Sequence, residues 1–330
     1  MVPLTAAQLK EHPEFPKVTW DLQPTKKGTV PVAEGRGGPF DISYEIHGTG
    51  HICLVWIMGL GALKTAWQRQ TLHFSHASPS RTSKYQSLIF DNRGMGASGK
   101  PNLRYTTTEM AHDTLDLLDT IGWTSPRQLH IIGVSMGGMI AQELALLIPS
   151  RVASLILVST AARLENTVGF IENLRQRINL FIPKEINTQL AETKARLFSQ
   201  EFLDGPDQDG GFPTNGDRFA AQELSKRMDK EGFTRKGFVL QAVAAGWHHK
   251  SAGQLRKLAD EVGRERICVM HGTEDRMITY HHAEVLKREL GEGIRFERFD
   301  GRGHVLMWEE REAFNRVVEE MVEKGEKSDG

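Results

Sequence analysis

Cysteine is scarce in this sequence, and two other common signals, a long apolar run and an excess of one charge, are missing. Its two cysteines, Cys53 and Cys268, each lie inside a short apolar segment, so we expect buried thiols and neither a disulfide nor a redox site. The apolar runs fall well short of the ~18 residues that a membrane span needs. Lysine and arginine total 41 against 42 acidic residues, so nothing in the net charge of −1 indicates nucleic acid or an anionic membrane as a partner.

The first residues, Met1 to Thr5, also lack the basic and apolar regions of a secretory signal peptide. Together with reduced thiols, this favours a soluble, cytoplasmic protein. The 330 residues suffice for one large α/β domain, and a chain of this length buries enough surface to fold without a metal or a disulfide. Hydrophobic residues make up 39% of the sequence and charged residues 25%, which argues against disorder.

Short apolar runs alternate with amphipathic helical patterns along most of the sequence. Between about Val30 and His47 the pattern predicts two short antiparallel strands. The later strand-like runs cover residues 52–57, 87–91, 129–133, 153–158, 267–271 and 295–299. Nearly continuous apolar strands with helices between them are typical of a parallel sheet that is covered on both faces. Because crossovers between parallel strands are right-handed, the sequence predicts an α/β fold with a doubly wound, mostly parallel sheet.

One of the intervening helices is delimited by the residues at its ends. Thr106 and Glu109 have the spacing of a capping box, apolar residues follow at helical spacing, and Gly122 closes the segment. The sequence therefore predicts a helix between the strands at 87–91 and 129–133.

The sequence pattern divides the chain into an arm, a core and an insertion. Residues 1–28 contain several prolines and no clear period, so we expect an extended arm over the domain. The alternation of strands and helices covers residues 29–162 and 250–330, which form the predicted core. Residues 163–249, the inserted segment, look helical and offer no convincing strand. We expect a helical lid there, above the carboxyl edge of the sheet, where ligands bind in such folds.

The strongest chemical signal is the G-x-S-x-G motif from Gly133 to Gly137, which directly follows an apolar strand and directly precedes a helical pattern. In this setting the serine occupies a strained strand-to-helix turn that lifts its hydroxyl above the sheet. Side chains at Gly133 and Gly137 would collide with the neighbouring elements. The motif predicts Ser135 as a nucleophile; the alternative is a glycine-rich turn in which the serine only caps the helix.

A serine hydroxyl needs a base to take its proton, and the base needs an acid to hold its tautomer. When the serine lies on such a turn, the acid and then the histidine follow it along the chain. Asp275 and His304 come just past the carboxyl ends of the last two predicted strands, on the rim that carries Ser135. We therefore predict a Ser135–His304–Asp275 triad. Glu274 competes with Asp275 for the acid role, whereas His271, His281 and His282 are less well placed than His304.

The oxyanion of an attacked carbonyl needs preorganised donors, which typically contribute ~10²–10³ in rate. We expect one donor to be the backbone N–H of Met136, directly after the nucleophile. The other is expected at Leu60, because Gly59 and Gly61 let the backbone come close. The alternative is that these glycines form only a flexible loop.

Taken together, these segments resemble the α/β-hydrolase superfamily, in particular its esterase, lactonase and non-haem perhydrolase-like branch. The resemblance covers about residues 40 to 320. Residues 91–98, Asp-Asn-Arg-Gly-Met-Gly-Ala-Ser, look like the family's D-x-R-G-x-G-x-S turn, which implies a structural role for Asp91. Residues 272–276 look like its acid loop, with the Arg276 and apolar pair that favour Asp275. Many members have His-Gly where this sequence has Met58-Gly59, which leaves the geometry of the oxyanion loop open.

The resemblance and the triad imply hydrolysis of a carboxylic ester, thioester or lactone through an acyl-enzyme on Ser135, with no metal or organic cofactor. The expected partner is a small, mostly apolar substrate. Alternatives are a cofactor-free lyase, a perhydrolase or an acyltransferase with the same triad, and a ligand receptor that has borrowed the fold. Trp67 and Met136 are candidates for lining the pocket. The inserted segment also offers apolar residues, most of which we expect in its own core, namely Phe170, Leu174, Leu180, Phe181, Leu197, Phe198, Phe219, Phe238 and Trp247.

Overall fold

An eight-stranded sheet forms the centre of the structure, a computed structural model that describes residues 2–165 and 184–327. Its strands are β1 (Lys26–Val32), β2 (Phe40–His47), β3 (Ile52–Ile57), β4 (Tyr85–Phe90), β5 (Leu129–Val134), β6 (Val152–Val158), β7 (Ile267–Gly272) and β8 (Arg295–Phe299). They are ordered β1-β2-β4-β3-β5-β6-β7-β8. The β1–β2 and β2–β4 pairs are antiparallel and all the others are parallel, so the predicted doubly wound, mostly parallel sheet is confirmed.

The helices lie on both faces of the sheet and in the connection between β6 and β7. In the described ranges they are α1 (Ala6–Glu11), α2 (Gln68–Ser75), α3 (Pro79–Lys84), α4 (Thr107–Ile121), α5 (Met136–Leu147), α6 (Ile186–Leu197), α7 (Gln200–Asp204), α8 (Asn215–Met228), α9 (Arg235–Gly246), α10 (Ala252–Val262), α11 (His281–Leu290), α12 (Leu306–Glu309) and α13 (Arg311–Lys327). Within these same ranges, none of the helices is long and apolar enough to cross a membrane.

The central strands are buried along their whole length because each face of the sheet packs against its own layer of helices. Val55 and Ile57 of β3 belong to the core under α4, α5, α10 and α11, whereas Leu54 and Trp56 face the core under α2 and α13. A strand that is covered on both sides has no polar face, which explains the continuous apolar runs. Both cysteines are free and buried in these strands, and burial raises the pKa of the Cys53 thiol to about 12.

Helix α4 begins and ends where the sequence predicted. The Thr106 side chain accepts a hydrogen bond from the Glu109 N–H, and Gly122 closes the helix in the left-handed conformation with φ 84°. The Glu109 carboxylate pairs with Arg36 at 2.6 Å, so the second half of the expected capping box is replaced by an ion pair to a distant loop.

The N-terminal arm differs from the extended segment that the sequence suggested. Residues 6–11 form helix α1, because Thr5 and Gln8 make a complete capping box at its start. Ala6 and Leu9 then pack against Ala221 of α8, so the arm contacts the inserted segment. The first strand already begins at Lys26, which is two residues before the predicted end of the arm.

Candidate active site

Ser135 lies at the junction of β5 and α5 with φ 58° and ψ −124°, a backbone conformation that residues other than glycine rarely adopt. Two hydrogen bonds hold this strained backbone: the Ser135 N–H donates to the Val158 carbonyl at 2.9 Å, and the Ser135 carbonyl accepts from the Thr160 hydroxyl at 2.7 Å. Such strain persists only where contacts with the surrounding structure fix the conformation, and strained positions of this kind cluster at active sites. The strand–turn–helix setting expected for the serine is thus present.

The two glycines of the motif allow this turn to pack. A Cβ atom on Gly133 would overlap the Gly137 carbonyl, and a Cβ atom on Gly137 would overlap the carbonyl oxygen of Ile57 at the end of β3. Because all of these contacts are with backbone atoms, no side-chain movement could relieve them. The first turn of α5 can therefore lie directly under the neighbouring strand only with glycine at both positions.

The structure brings Asp275 and His304 together, although 29 residues separate them. The Nδ1 atom of His304 lies 2.7 Å from Oδ2 of Asp275, and the other carboxylate oxygen accepts the N–H groups of Met277 and Ile278 at 2.8 and 2.9 Å. A carboxylate on Nδ1 assigns the proton to that nitrogen and leaves Nε2 as an acceptor. Glu274, the competing acid, is exposed and lies 3.9 Å from Arg276.

Asp275 is buried, yet its surroundings favour the charged form. Burial by itself would raise the pKa of its carboxyl, but the His304 and His271 imidazoles hold that pKa well below the usual range through charge and hydrogen bonds. An acid that stays ionised can orient the imidazole and stabilise it once it is protonated.

His271 was judged less well placed from the sequence, but it contacts the proposed acid directly. Its Nε2 atom donates to the Ile278 carbonyl at 2.7 Å and lies 3.1 Å from Oδ2 of Asp275. The ring is fully buried at the end of β7, and its Nδ1 has no hydrogen-bond partner within the described residues. A histidine that ends a strand four residues before the acid is the one signal that could have revealed this contact. The other two histidines lie elsewhere, with His281 paired to Glu165 and His282 bound to Thr279.

The loop that carries His304 is held from two sides. Its backbone N–H donates to the Leu197 carbonyl at the end of α6 at 2.8 Å, and the neighbouring Gly303 N–H donates to Glu309 at 2.8 Å. Glu309 also accepts from the Ser199 hydroxyl at 2.5 Å, and burial raises the pKa of its carboxyl. The inserted segment thus contributes to the position of the imidazole.

Ser135 and His304 line the same cavity, which has a volume of about 710 Å³. No hydrogen bond joins the serine hydroxyl to the imidazole in the part of the chain that the structure describes. In unliganded enzymes such catalytic hydrogen bonds are often long and shorten only when substrate binds. The sheet therefore brings all three proposed residues to one edge, with Asp275 behind His304 and Ser135 on the wall of the cavity.

The loop 58–61 lies against the serine, where the sequence placed the oxyanion donors. A Cβ atom on Gly59 would lie 3.0 Å from the Cβ atom of Ser135. The N–H of Leu60 makes no hydrogen bond within residues 2–165 and 184–327, and Met136 begins α5, so its N–H has no acceptor within the helix. Within the described residues, both N–H groups therefore remain available to donate a hydrogen bond to a substrate.

The same loop is hydrogen-bonded to its neighbours at three backbone atoms. The Asn92 amide donates to the Met58 carbonyl at 3.0 Å, and Gly61 contacts both Gln241 and Lys226 of the inserted segment. Asp91, predicted to be structural, accepts from the Lys64 backbone N–H at 2.8 Å and from its ammonium group at 3.1 Å.

The side chains of the two candidate lining residues lie in different places, one at the cavity and the other in the core. Trp67 is fully buried, lines the cavity and packs against Trp56 with 4.9 Å between ring centres. The Met136 side chain belongs to the core between the sheet and its helices and does not line the cavity. That part of the prediction was wrong, because the side chain at the start of α5 packs into the core beside the sheet.

The remaining wall of the cavity is partly apolar and partly charged. Its apolar side chains include Met58, Leu60, Leu63, Trp67, Leu197, Phe219, Phe238, Val239, Val305 and Trp308. Two sets of ion pairs also lie there: Lys184, just before α6, and Arg196 pair with Glu192 of α6, and Lys226 and Arg227 pair with Glu223 of α8. Of the other apolar residues predicted from the inserted segment, Phe198 packs in the core with Trp308 and Trp247 is 72% exposed. Phe170, Leu174, Leu180 and Phe181 fall outside the described residues.

Comparison with known proteins gives a consistent result. The family model described as "alpha/beta hydrolase fold" matches residues 54–311. A carbamate hydrolase of Azorhizobium caulinodans, provisionally so named, is 34% identical over 44% of this chain and 50% of its own length. The 3-oxoadipate enol-lactonase 2 of Acinetobacter baylyi is 31% identical over 46% of this chain and 51% of its own length. The chain thus spans about half the length of these curated relatives.

Solved structures extend the likeness of the fold to nearly the whole chain. A thermophilic esterase from Thermogutta terrifontis aligns with a TM-score of 0.70 and 20% identity, covering 91% of this chain and 99% of the esterase. The enol-lactonase from Burkholderia xenovorans aligns with a TM-score of 0.67 and 20% identity, covering 90% of this chain and 100% of the lactonase. At this level of identity the alignments show a shared fold.

Proposed function

Since the chain belongs to the α/β-hydrolase fold family, we propose that it is a serine hydrolase that cleaves a carboxylic ester, thioester or lactone through an acyl-enzyme on Ser135. One observation carries the proposal. Ser135 and His304 line a single cavity, and the Nδ1 atom of that histidine is hydrogen-bonded to a buried carboxylate. A histidine held in this tautomer can accept a proton at Nε2, which is the requirement for activating a serine.

The reaction would proceed in two halves. His304 Nε2 takes the Ser135 proton while Oγ attacks the carbonyl carbon, and the N–H groups of Leu60 and Met136 bind the resulting oxyanion. When the intermediate collapses, the imidazolium gives its proton to the departing alcohol or thiol. Water then attacks the acyl-enzyme with His304 as base, and Ser135 leaves with the proton. Asp275 stays ionised throughout.

The cavity supports a small substrate that has both an apolar and a polar part. Its volume of about 710 Å³ lies in the usual range for small-molecule sites. Trp67, Phe219 and Phe238 offer an apolar surface, whereas the ion pair between Lys184 and Glu192 would contact a polar group of the substrate. The inserted segment would act as the lid that sets specificity. Because one relative is named an enol-lactonase, lactones belong among the substrates to be assayed.

The proposal is tested by labelling with a fluorophosphonate and by assays on p-nitrophenyl esters of increasing acyl length, thioesters and lactones. Ser135→Ala and His304→Ala are expected to lower turnover at least ~10³-fold while the protein stays folded. Ser225→Ala is the matched control, because it removes another hydroxyl that lines the cavity. Full activity of folded Ser135→Ala would refute the nucleophile. Labelling without hydrolysis would favour the lyase, perhydrolase or acyltransferase alternatives, and no labelling of the wild type would favour a receptor.

A further inference from the structure

The peptide groups of Gly61 are bound by two side chains of the inserted segment. The Gly61 N–H donates to the side-chain oxygen of Gln241 in α9 at 2.9 Å. The Gly61 carbonyl accepts from the ammonium group of Lys226 in α8 at 3.0 Å. These residues lie 180 and 165 positions away along the chain. Two helices of the inserted segment therefore determine where the residue after Leu60 lies.

Gln241 is fully buried, and both ends of its amide are engaged. While its oxygen accepts from Gly61, its Nε2 donates to the Arg93 carbonyl at 2.9 Å. Arg93 is itself held by two hydrogen bonds of 2.6 Å to Asp113 of α4. The amide cannot turn over without losing both bonds, since it would then oppose N–H to N–H and oxygen to oxygen. Gln241 thus connects the loop 58–61 to a rigid part of the core.

The surrounding chain approaches too closely for this part of the inserted segment to shift independently. A Cβ atom on Gly61, whose φ is +67°, would lie 2.7 Å from the Phe238 ring. A Cβ atom on Gly237 would overlap the Gly94 carbonyl, and the Gly96 N–H donates to the Gly232 carbonyl at 2.7 Å. The segment 232–241 is therefore packed against the loop 58–61, which lies against the serine, and against the loop 91–98.

These contacts also bear on which N–H groups can bind an oxyanion. The Gly61 N–H is occupied by Gln241, so it cannot serve as a donor to substrate. The Leu60 N–H has no partner in the described ranges, and its direction depends on the two glycines that flank it. A displacement of about 1 Å in such a group can cost ~10²-fold in rate.

On the basis of the proposed function, we propose that Gln241 and Lys226 are positioning residues that orient the Leu60 N–H for the oxyanion. They act through Gly61 and need not touch the substrate. The inserted segment would then contribute to the rate of acyl transfer as well as to specificity. Loss of either contact should weaken binding of the tetrahedral state more than binding of the ground state.

The experiment compares Gln241→Met with the wild type on p-nitrophenyl acetate and with phenylboronic acid. When Ser135 Oγ bonds to boron, its proton passes to His304 Nε2, and the boronic acid becomes a tetrahedral anion that the oxyanion donors would bind. We expect kcat to fall ~10- to 100-fold, the inhibition constant of the boronic acid to rise by a similar factor, and KM to change less than ~3-fold. Gln86→Met is the matched control, because that side chain donates to the Gly50 carbonyl at the opposite end of the sheet.

A second variant, Lys226→Met, and fluorophosphonate labelling of the wild type distinguish a failed positioning role from misfolding or from a failed proposed function. Lys226→Met removes the other contact from a side chain that is 19% exposed, so it tests the same idea if Gln241→Met fails to fold. An unchanged kcat in either folded variant, or a rise in KM alone, would overturn the proposal. Wild-type labelling by a fluorophosphonate is measured first. If the wild type does not react with the fluorophosphonate, the proposed function itself fails. Equal labelling rates in the wild type and both variants would refute only the positioning role.

Discussion

His271 and His304 approach the same carboxylate oxygen, Oδ2 of Asp275, at 3.1 and 2.7 Å. The carboxylate is buried, and two backbone N–H groups occupy its other oxygen. The proposed acid is therefore in contact with two imidazoles and two backbone N–H groups, and only one of these four groups belongs to the proposed base.

Replacing Asp275 by asparagine should remove catalysis without removing the side chain. The amide can no longer hold the proton on Nδ1 of His304, so we expect kcat to fall ~10³- to 10⁴-fold. The corresponding change at the neighbouring residue, Glu274→Gln, should alter kcat less than ~3-fold, because that side chain is exposed. Steady-state kinetics on an activated ester would check both. A larger loss in Glu274→Gln would reverse the assignment of the acid.

Acid should weaken the fold partly through Asp275. Its pKa is held below the usual value in the folded protein and returns to about 3.9 in the unfolded chain. The stability it contributes is thus fully present above the unfolded pKa and is lost as pH falls through the folded pKa. We expect the free energy of unfolding in urea to drop below about pH 4, and to drop less steeply in Asp275→Asn. Asp260→Asn, at a carboxylate that is 63% exposed, should keep the wild-type slope.

His271→Leu should impair both stability and turnover. It leaves the Ile278 carbonyl without its donor and removes one contact from Asp275, which should cost about 1–3 kcal/mol in the free energy of unfolding. A less constrained acid should also lower kcat about 10-fold with little change in KM. Denaturant unfolding and kinetics at saturating ester measure the two effects. His281→Leu, at an exposed histidine, is the control, and equal behaviour of the two variants would dismiss the role of His271.

Gly137→Ala should destabilise the folded protein through steric overlap alone. The added methyl group would overlap the backbone carbonyl of Ile57, and overpacking against backbone typically costs about 1–3 kcal/mol or more. Gly246→Ala is the comparison, because nothing lies within 4 Å of its Cβ position. Thermal melts of the two variants should separate clearly, with the second at or above the wild-type melting temperature. A wild-type melting temperature for Gly137→Ala would show that the first turn of α5 can shift.

The local patterns in the sequence predicted the elements well. Continuous apolar runs marked β3 and β5 to β7 almost to the residue, and Gly122 marked the end of α4. The arm was the exception: prolines suggested an extended chain, whereas the capping box at Thr5 starts a short helix there. Periodicity and capping are properties of neighbouring residues, so they can be read from the chain before it folds.

The sequence by itself determined the sheet, the turn at Ser135 and the order in which Asp275 and His304 follow it, because each depends on a local pattern or on the chain order of the fold. Only the tertiary structure decided that His271 contacts the acid, that the Met136 side chain points into the core, and that Gln241 and Lys226 bind Gly61. Those last contacts join residues more than 160 positions apart, and nothing in the residues around a glutamine or a lysine specifies a partner at that distance. They arise only when the packing of whole helices against the sheet brings the two backbones together.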